Sequence, residues 1–141
     1  QAVRLRGSYV ITCDEIIKDA DGNITELRCH HDPDTLGKNP EGYKANGVIH
    51  WVSAKHALDC EIRNYDRLFN QPNPMEADNF LDTLNPESLT IIHGAKTEPA
   101  AAAEPGTVYQ FERLGYYAVD PDSTADKPVF NRTVELRDGF K

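Results

Sequence analysis

The stretch "QFERLGYYAVD", residues 110–120, holds two side chains suited to gripping a nucleic-acid base. Gln110 carries an amide donor and acceptor together, the complement of the paired acceptor and donor on a uracil edge. Arg113 adds a planar guanidinium that donates in a fork to base oxygens or phosphate. In "VRLR", Arg4 and Arg6 are two positions apart, so a strand sets both on one face, where they could clamp a phosphate or donate to base oxygens. The plainer reading of that pair is a solvated strand face. Gln110 and Arg113 lie three positions apart, which a strict strand would turn to opposite faces. They can serve neighbouring pockets only where a bulge or the strand's end intervenes.

Other chemistries find little support. "CHHD" at 29–32 gathers a thiol, two imidazoles and a carboxylate, but neighbours on a strand point to opposite faces and cannot all meet one ion. A strand end with solvated histidines is the simpler expectation, and His50, His56 and His93 are isolated. Cys13, Cys29 and Cys60 all fit the apolar phase of strands as small hydrophobes, and no local base or orienting group would activate a thiolate. No Gly-rich loop with its Lys and Ser or Thr is present for nucleotide phosphates. No catalytic residue and no metal site are therefore expected.

The elements that must position these side chains are mostly strands. Val3, Leu5, Tyr9, Ile11 and Cys13 alternate with Arg4, Arg6, Ser8 and Thr12, and Asp21-Gly22 supplies a turn, which predicts a long hairpin over 3–31. "HHDPDTLGKNPEGYKANG" reads as an irregular loop; "GVIHWVSA", "LDCEIRNYDRLF" and "SLTIIHGA" read as strands. Phe80, Leu81 and Leu84 predict one short helix over 75–84 after Pro72 and Pro74. "KTEPAAAAEPG" reads as a linker-like surface loop, and strands over 107–119 and 127–138 close the chain. The fold class is all-β: two packed barrels, or one barrel and part of a second.

The 141 residues suffice for one core or two small ones. Three widely spaced cysteines without a C-x-x-C pair favour reduced thiols, so the expected compartment is the cytoplasm. No stretch approaches the roughly 18 apolar residues of a membrane-spanning helix. The chain opens at "QAVRLRGSYV" without an initiator Met, which suggests a piece of something longer. A net charge of −8 argues against broad, non-specific nucleic-acid binding but leaves room for a local site built on a few arginines.

Six collinear motifs, "GVIHWVSAKHA", "EIRNYDRLF", "PNP", "LNPESL", "QFERLGYYAVD" and "KPVFNRTVELRD", together with "VRLRGSYVI", resemble the C-terminal anticodon-binding region of the glutaminyl-tRNA synthetases over nearly the whole chain. The resemblance implies a two-barrel anticodon-binding fragment spanning 1–141 of a class I synthetase. The parent would join glutamine to its tRNA using ATP and Mg²⁺ held by an N-terminal catalytic domain absent here. The H-I-G-H-type and K-M-S-K-S-type motifs are missing from the sequence, so the fragment alone is expected to be inactive. The partner implied is tRNA(Gln), chiefly its anticodon loop, with neither membrane nor DNA. In that family Gln110 falls where a glutamine reads the middle anticodon base, a uridine; Arg113, Arg4 and Arg6 fall where arginines surround the first base. The family's loop before "GVIHW" is often basic, and here only Lys38 and Lys44 stand as basic candidates for RNA contact. The family's contacts to the third base, and part of those to the second, come from residues upstream of Gln1. The anticodon-binding region of a glutamyl-tRNA synthetase shares the architecture and is the alternative parent; a non-enzymatic β-barrel RNA-binding protein or a barrel scaffold without RNA are further readings.

Overall fold

The computed structural model describes residues 1–102 and 104–136, and these divide into two units, Gln1–Trp51 and Val52–Lys141. Both are built from strands, as the sequence pattern predicts. No closed barrel forms among the described residues; each unit holds one open sheet.

In the first unit, β1 (Ala2–Leu5), β2 (Val10–Lys18), β3 (Ile24–Asp32) and β4 (Val48–Ile49) pair in the order β3-β2-β1-β4. The expected single hairpin over 3–31 is in fact a three-strand meander. Gly7, at φ +67°, reverses the chain between β1 and β2, and Leu5 N–H donates to the Tyr9 carbonyl at 2.9 Å. The predicted Asp21-Gly22 turn joins β2 to β3, with Gly22 at φ +85° and the Asp19 carboxylate accepting from the backbone N–H of Asp21 and Asn23. Of "GVIHWVSA" only β4 is strand, parallel to β1, while Trp51 Nε1 donates to the Arg6 carbonyl at 3.0 Å.

In the second unit, β5 (Leu58–Tyr65), β6 (Leu89–Thr97), β7 (Val108–Phe111), β8 (Gly115–Val119) and β9 (Val129–Glu135) pair in the order β6-β5-β9-β8-β7. The strand expected over 107–119 is a hairpin of two, and the one expected over 127–138 is β9, with residues 137 and 138 outside the described residues. Alternation sends Cys60 and Ile62 of β5 and Tyr117 and Val119 of β8 into a core around Phe130 of β9, which has no exposed surface. Phe111 meets Phe130 edge-on at 5.1 Å and stacks on Tyr117 at 4.6 Å, and Tyr109 meets Phe130 edge-on at 6.4 Å. The loop after β6 contributes as well: a 3₁₀ turn at Pro99–Ala101 buries Ala101 in this core, so the segment is anchored rather than a free surface linker. Ala103 of that loop lies outside the described residues.

The predicted helix over 75–84 does not form. Two 3₁₀ turns stand there, Pro74–Glu76 and Phe80–Thr83, separated by an extended Ala77. The cause is local competition by side chains: Asn79 accepts from Leu81 N–H at 3.2 Å, and Thr83 Oγ1 donates to the Phe80 carbonyl at 2.7 Å. Phe80 also packs edge-on against Phe69 at 6.5 Å, which fixes the turn without helical propagation.

Parallel β5 and β9 are tied by charge. Arg63 donates to Glu61 and to Asp122, both at 2.8 Å, and lies 3.4 Å from Asp120; Asn131 donates to the Asp120 carboxylate. The Arg63 hydrogen bond holds the Glu61 carboxyl below its ordinary range. The Asp122 backbone N–H, followed by the Asn131 amide, does the same for Asp120. Depressed carboxyl pKa values stabilise the fold at neutral pH, and that stability is lost as pH falls through the lowered folded values. Arg63→Met should therefore unfold earlier in urea at pH 7 and converge on the unsubstituted protein in strong acid, as followed by circular dichroism across pH. An equal loss at every pH would contradict the charge network's role.

Candidate nucleic-acid interface

Gln110 and Arg113 sit on the β7–β8 hairpin. β7 is an edge strand, so its outer side has no neighbour in the sheet. Tyr109 and Phe111 turn inward to the aromatic core, and alternation turns Val108 and Gln110 outward, both exposed. Gln110 pairs with Tyr116, which pairs with Val134, so the amide heads an exposed row across three strands. Tyr116 gives that row an aromatic ring on which a base could stack.

Arg113 does not continue the strand. β7 ends at Phe111, and Leu114 N–H donates to the Phe111 carbonyl at 2.9 Å, closing a tight turn. Within it Arg113 adopts φ +69°, the one non-glycine residue with positive φ among the described residues. Such a turn ordinarily places Gly or Asn at this position, and a side chain there costs about 1–2 kcal/mol. The strand's end thus removes the conflict in facing that the three-residue spacing creates. Gly115 follows at φ +156°, where a Cβ would stand 2.7 Å from the Val134 carbonyl oxygen, so only glycine lets β8 approach β9 so closely. Arg113 lines an open cavity of about 530 Å³ with Leu114, Arg132, Glu135 and Leu136, whereas Gln110 does not. Arg132 donates to Glu135 at 2.9 Å across that cavity. Sequence reasoning missed Tyr116 and Arg132; the alternation of "GYYAV" carried the signal for Tyr116, but Arg132 required the pairing of β8 with β9.

Arg4 and Arg6 belong to the first unit. Their N–H groups bond the carbonyls of Gly47 and Ile49, each at 2.9 Å, so the extended register runs past the end of β1 and keeps both side chains on one face. Their guanidiniums are placed differently. Arg4 is part-buried and donates to the carbonyls of Ser8 at 3.0 Å, Thr35 at 2.8 Å and Lys38. Thr35 is itself buried, accepting from Val10 N–H at 2.9 Å and donating to the Asp32 carbonyl. Arg4 therefore pins the 3₁₀ turn Pro33–Thr35 and the loop beyond it to β1, and sets where the exposed Lys38 stands. Arg6 is exposed. Lys44 lines a second cavity, about 570 Å³, with His30, His31, Asp32 and Tyr43. Tyr43 donates its hydroxyl to Asp32, which lowers the carboxyl's pKa and raises that of the phenol. His30 and His31 are exposed on β3, as expected for "CHHD", and no metal-binding group of three or more residues occurs among the described residues. Of the three cysteines only Cys60 is buried; Cys29, expected in the apolar phase, is exposed because the face of β3 that carries it is uncovered in its own unit.

With these placements established, residues 48–120 match the family model described as "tRNA synthetases class I (E and Q), anti-codon binding domain". The chain belongs to that family. It is 60% identical to a protein named "Glutamine--tRNA ligase" from Pseudomonas putida over 98% of this chain and 25% of that protein. It is 58% identical to the one from Pseudomonas syringae pv. tomato, with the same coverage, and 59% identical to the one from Vibrio campbellii over 96% of this chain and 25% of that protein. The chain thus spans about a quarter of the length of these curated relatives. In this anticodon-binding domain the hairpin carrying Gln110 and Arg113 lies wholly within the matched residues.

A strained turn with a charged side chain is retained where something offsets its cost. Arg113→Gly should raise stability by about 0.5–1 kcal/mol, because glycine adopts the left-handed region without strain. The same variant should weaken binding of an anticodon stem-loop RNA. Urea unfolding and fluorescence anisotropy on the same preparation check the pair of effects; a destabilised variant with unchanged RNA binding would contradict both.

Proposed function

We propose that the chain is the anticodon-reading end of a glutamine–tRNA ligase whose remaining three quarters hold the catalytic domain. The parent would ligate glutamine to tRNA(Gln) in the cytoplasm using ATP and Mg²⁺, and the segment described here would take no chemical part. The family description covers the synthetases for both E and Q; the names of the relatives favour glutamine over glutamate.

The observation that carries this reading is the outward amide of Gln110 beside the Arg113 turn. In it, Gln110 accepts from N3–H of the middle uridine and donates to O4, two bonds that the uracil edge satisfies together. Arg113 supplies a guanidinium at the neighbouring pocket. In the first unit Arg6 acts at the first base or its phosphate. Arg4 acts mainly by holding the loop that carries Lys38, since three carbonyls already engage its guanidinium. Lys44 would meet the backbone of the loop. Among the described residues no helix is long and apolar enough to cross a membrane.

A double-mutant cycle between enzyme and anticodon separates base reading from attraction to phosphate. In the full-length ligase, Gln110→Ala should cost about 1–3 kcal/mol in charging efficiency, and the loss should largely vanish with a tRNA whose middle base is already changed. Arg6→Ala should retain its defect with that tRNA. Additive effects of Gln110→Ala and the base change would remove Gln110 from the middle-base pocket.

A further inference from the structure

Cys13 of β2 and Cys29 of β3 stand directly opposite each other in the antiparallel ladder. The backbone bonds around them define which kind of pair this is. Leu5 N–H bonds the Tyr9 carbonyl, so Tyr9, Ile11 and Cys13 turn their backbone groups toward β1; Val10, one position out of phase, directs its N–H to Thr35 on the other side. Cys13 and Cys29 therefore form a non-hydrogen-bonded pair, in which the Cα atoms approach to about 4.5 Å and the side chains come closest. That separation lies inside the range a disulfide spans. The register shifts immediately afterwards, between Cys13 and Glu15, which loosens the ladder where a new bond would have to settle.

The two sulfurs also differ from the third. Cys60 is buried in the core of the other unit, whereas Cys29 is exposed and Cys13 is half-buried beside it. The Cys13 thiol donates to the Glu15 carbonyl at 3.5 Å and the Cys29 thiol to the Leu27 carbonyl at 3.9 Å; desolvation, followed by the adjoining Cys13 sulfur, pushes the Cys29 thiol up.

We propose that Cys13 and Cys29 form a dithiol site that takes low-molecular-weight disulfides and closes an intrachain bond across the β2–β3 hairpin. The exposed Cys29 reacts through the minority of its thiol that is ionised, its proton released to water; that thiolate attacks one sulfur of the small disulfide and expels the first small thiolate, which takes up a proton. The Cys13 thiolate then attacks the Cys29 sulfur of the mixed disulfide and expels the second. The two protein thiols are oxidised, and one small disulfide is reduced to two thiols. Excess small thiol reverses the sequence.

Incubation of the full-length protein with oxidised glutathione, followed by non-reducing peptide mapping, tests the site. The expected product links the Cys13 and Cys29 peptides within one chain, is two hydrogens lighter than the starting protein, and leaves Cys60 reduced. In Cys13→Ser the reaction should stop at a stable glutathione adduct on Cys29. Three outcomes would overturn the proposal: a persistent adduct on Cys29 in the unsubstituted protein, a link joining either cysteine to Cys60 or to a second chain, or no reaction at either sulfur.

Discussion

The aromatic contacts on Phe130 hold the β7–β8 hairpin in place. β9 is held on both sides, parallel to β5 and antiparallel to β8, and its fully buried phenyl ring receives Phe111 and Tyr109 from an edge strand that has only one neighbour of its own. Each aromatic contact of this kind adds about 0.5–1.5 kcal/mol beyond the area it buries. Because two alternate residues of β7 are anchored inward, the residues between and beyond them have no choice of face, and Gln110 must point out. The outward facing of Gln110 thus rests on packing underneath it.

The turn at the end of β7 draws on the same support. Arg113 occupies a backbone region that its Cβ disfavours, and Gly115 brings β8 within a distance of β9 that no other residue tolerates. An isolated hairpin with these features would relax. Here the Phe111 and Tyr117 stack lies directly beneath the turn, and the Arg63 network fastens the far end of β9 to β5. In the first unit the equivalent device is a single side chain: Arg4 bonds three carbonyls and gathers β1, the β1–β2 turn and the loop after β3. An arginine selected for such a role and one selected to read a base look identical in sequence.

Much of the strand structure was legible because burial has a period of two. Cys60 and Ile62 against Asp59 and Glu61 gave β5, and Asp21-Gly22 gave the β2–β3 turn. The apparent helix at 75–84 failed because Asn79 and Thr83 satisfy backbone groups locally, a competition that apolar spacing does not register. "GVIHWVSA" overstated its strand because apolar content does not reveal how many residues find a pairing partner. The candidate site was legible in part. Gln110 and Arg113 were marked by residue type and by the family's motifs, but the turn that takes Arg113 off the strand depends on a positive φ at an arginine, which no pattern announces. The exposure of Cys29 was likewise hidden, since alternation assigns it a face without saying whether that face is covered.

The most direct measurement is NMR of the chain titrated with an anticodon stem-loop RNA, following the side-chain amide of Gln110 and the Nε–H of Arg113. With a uridine at the middle position, the Gln110 amide protons should shift and gain protection from exchange, while a stem-loop with a cytidine there should leave them near their free positions. Equal shifts at Gln110 with both RNAs, or shifts confined to Lys38, Lys44 and other basic groups, would contradict a base-reading amide on the β7–β8 hairpin.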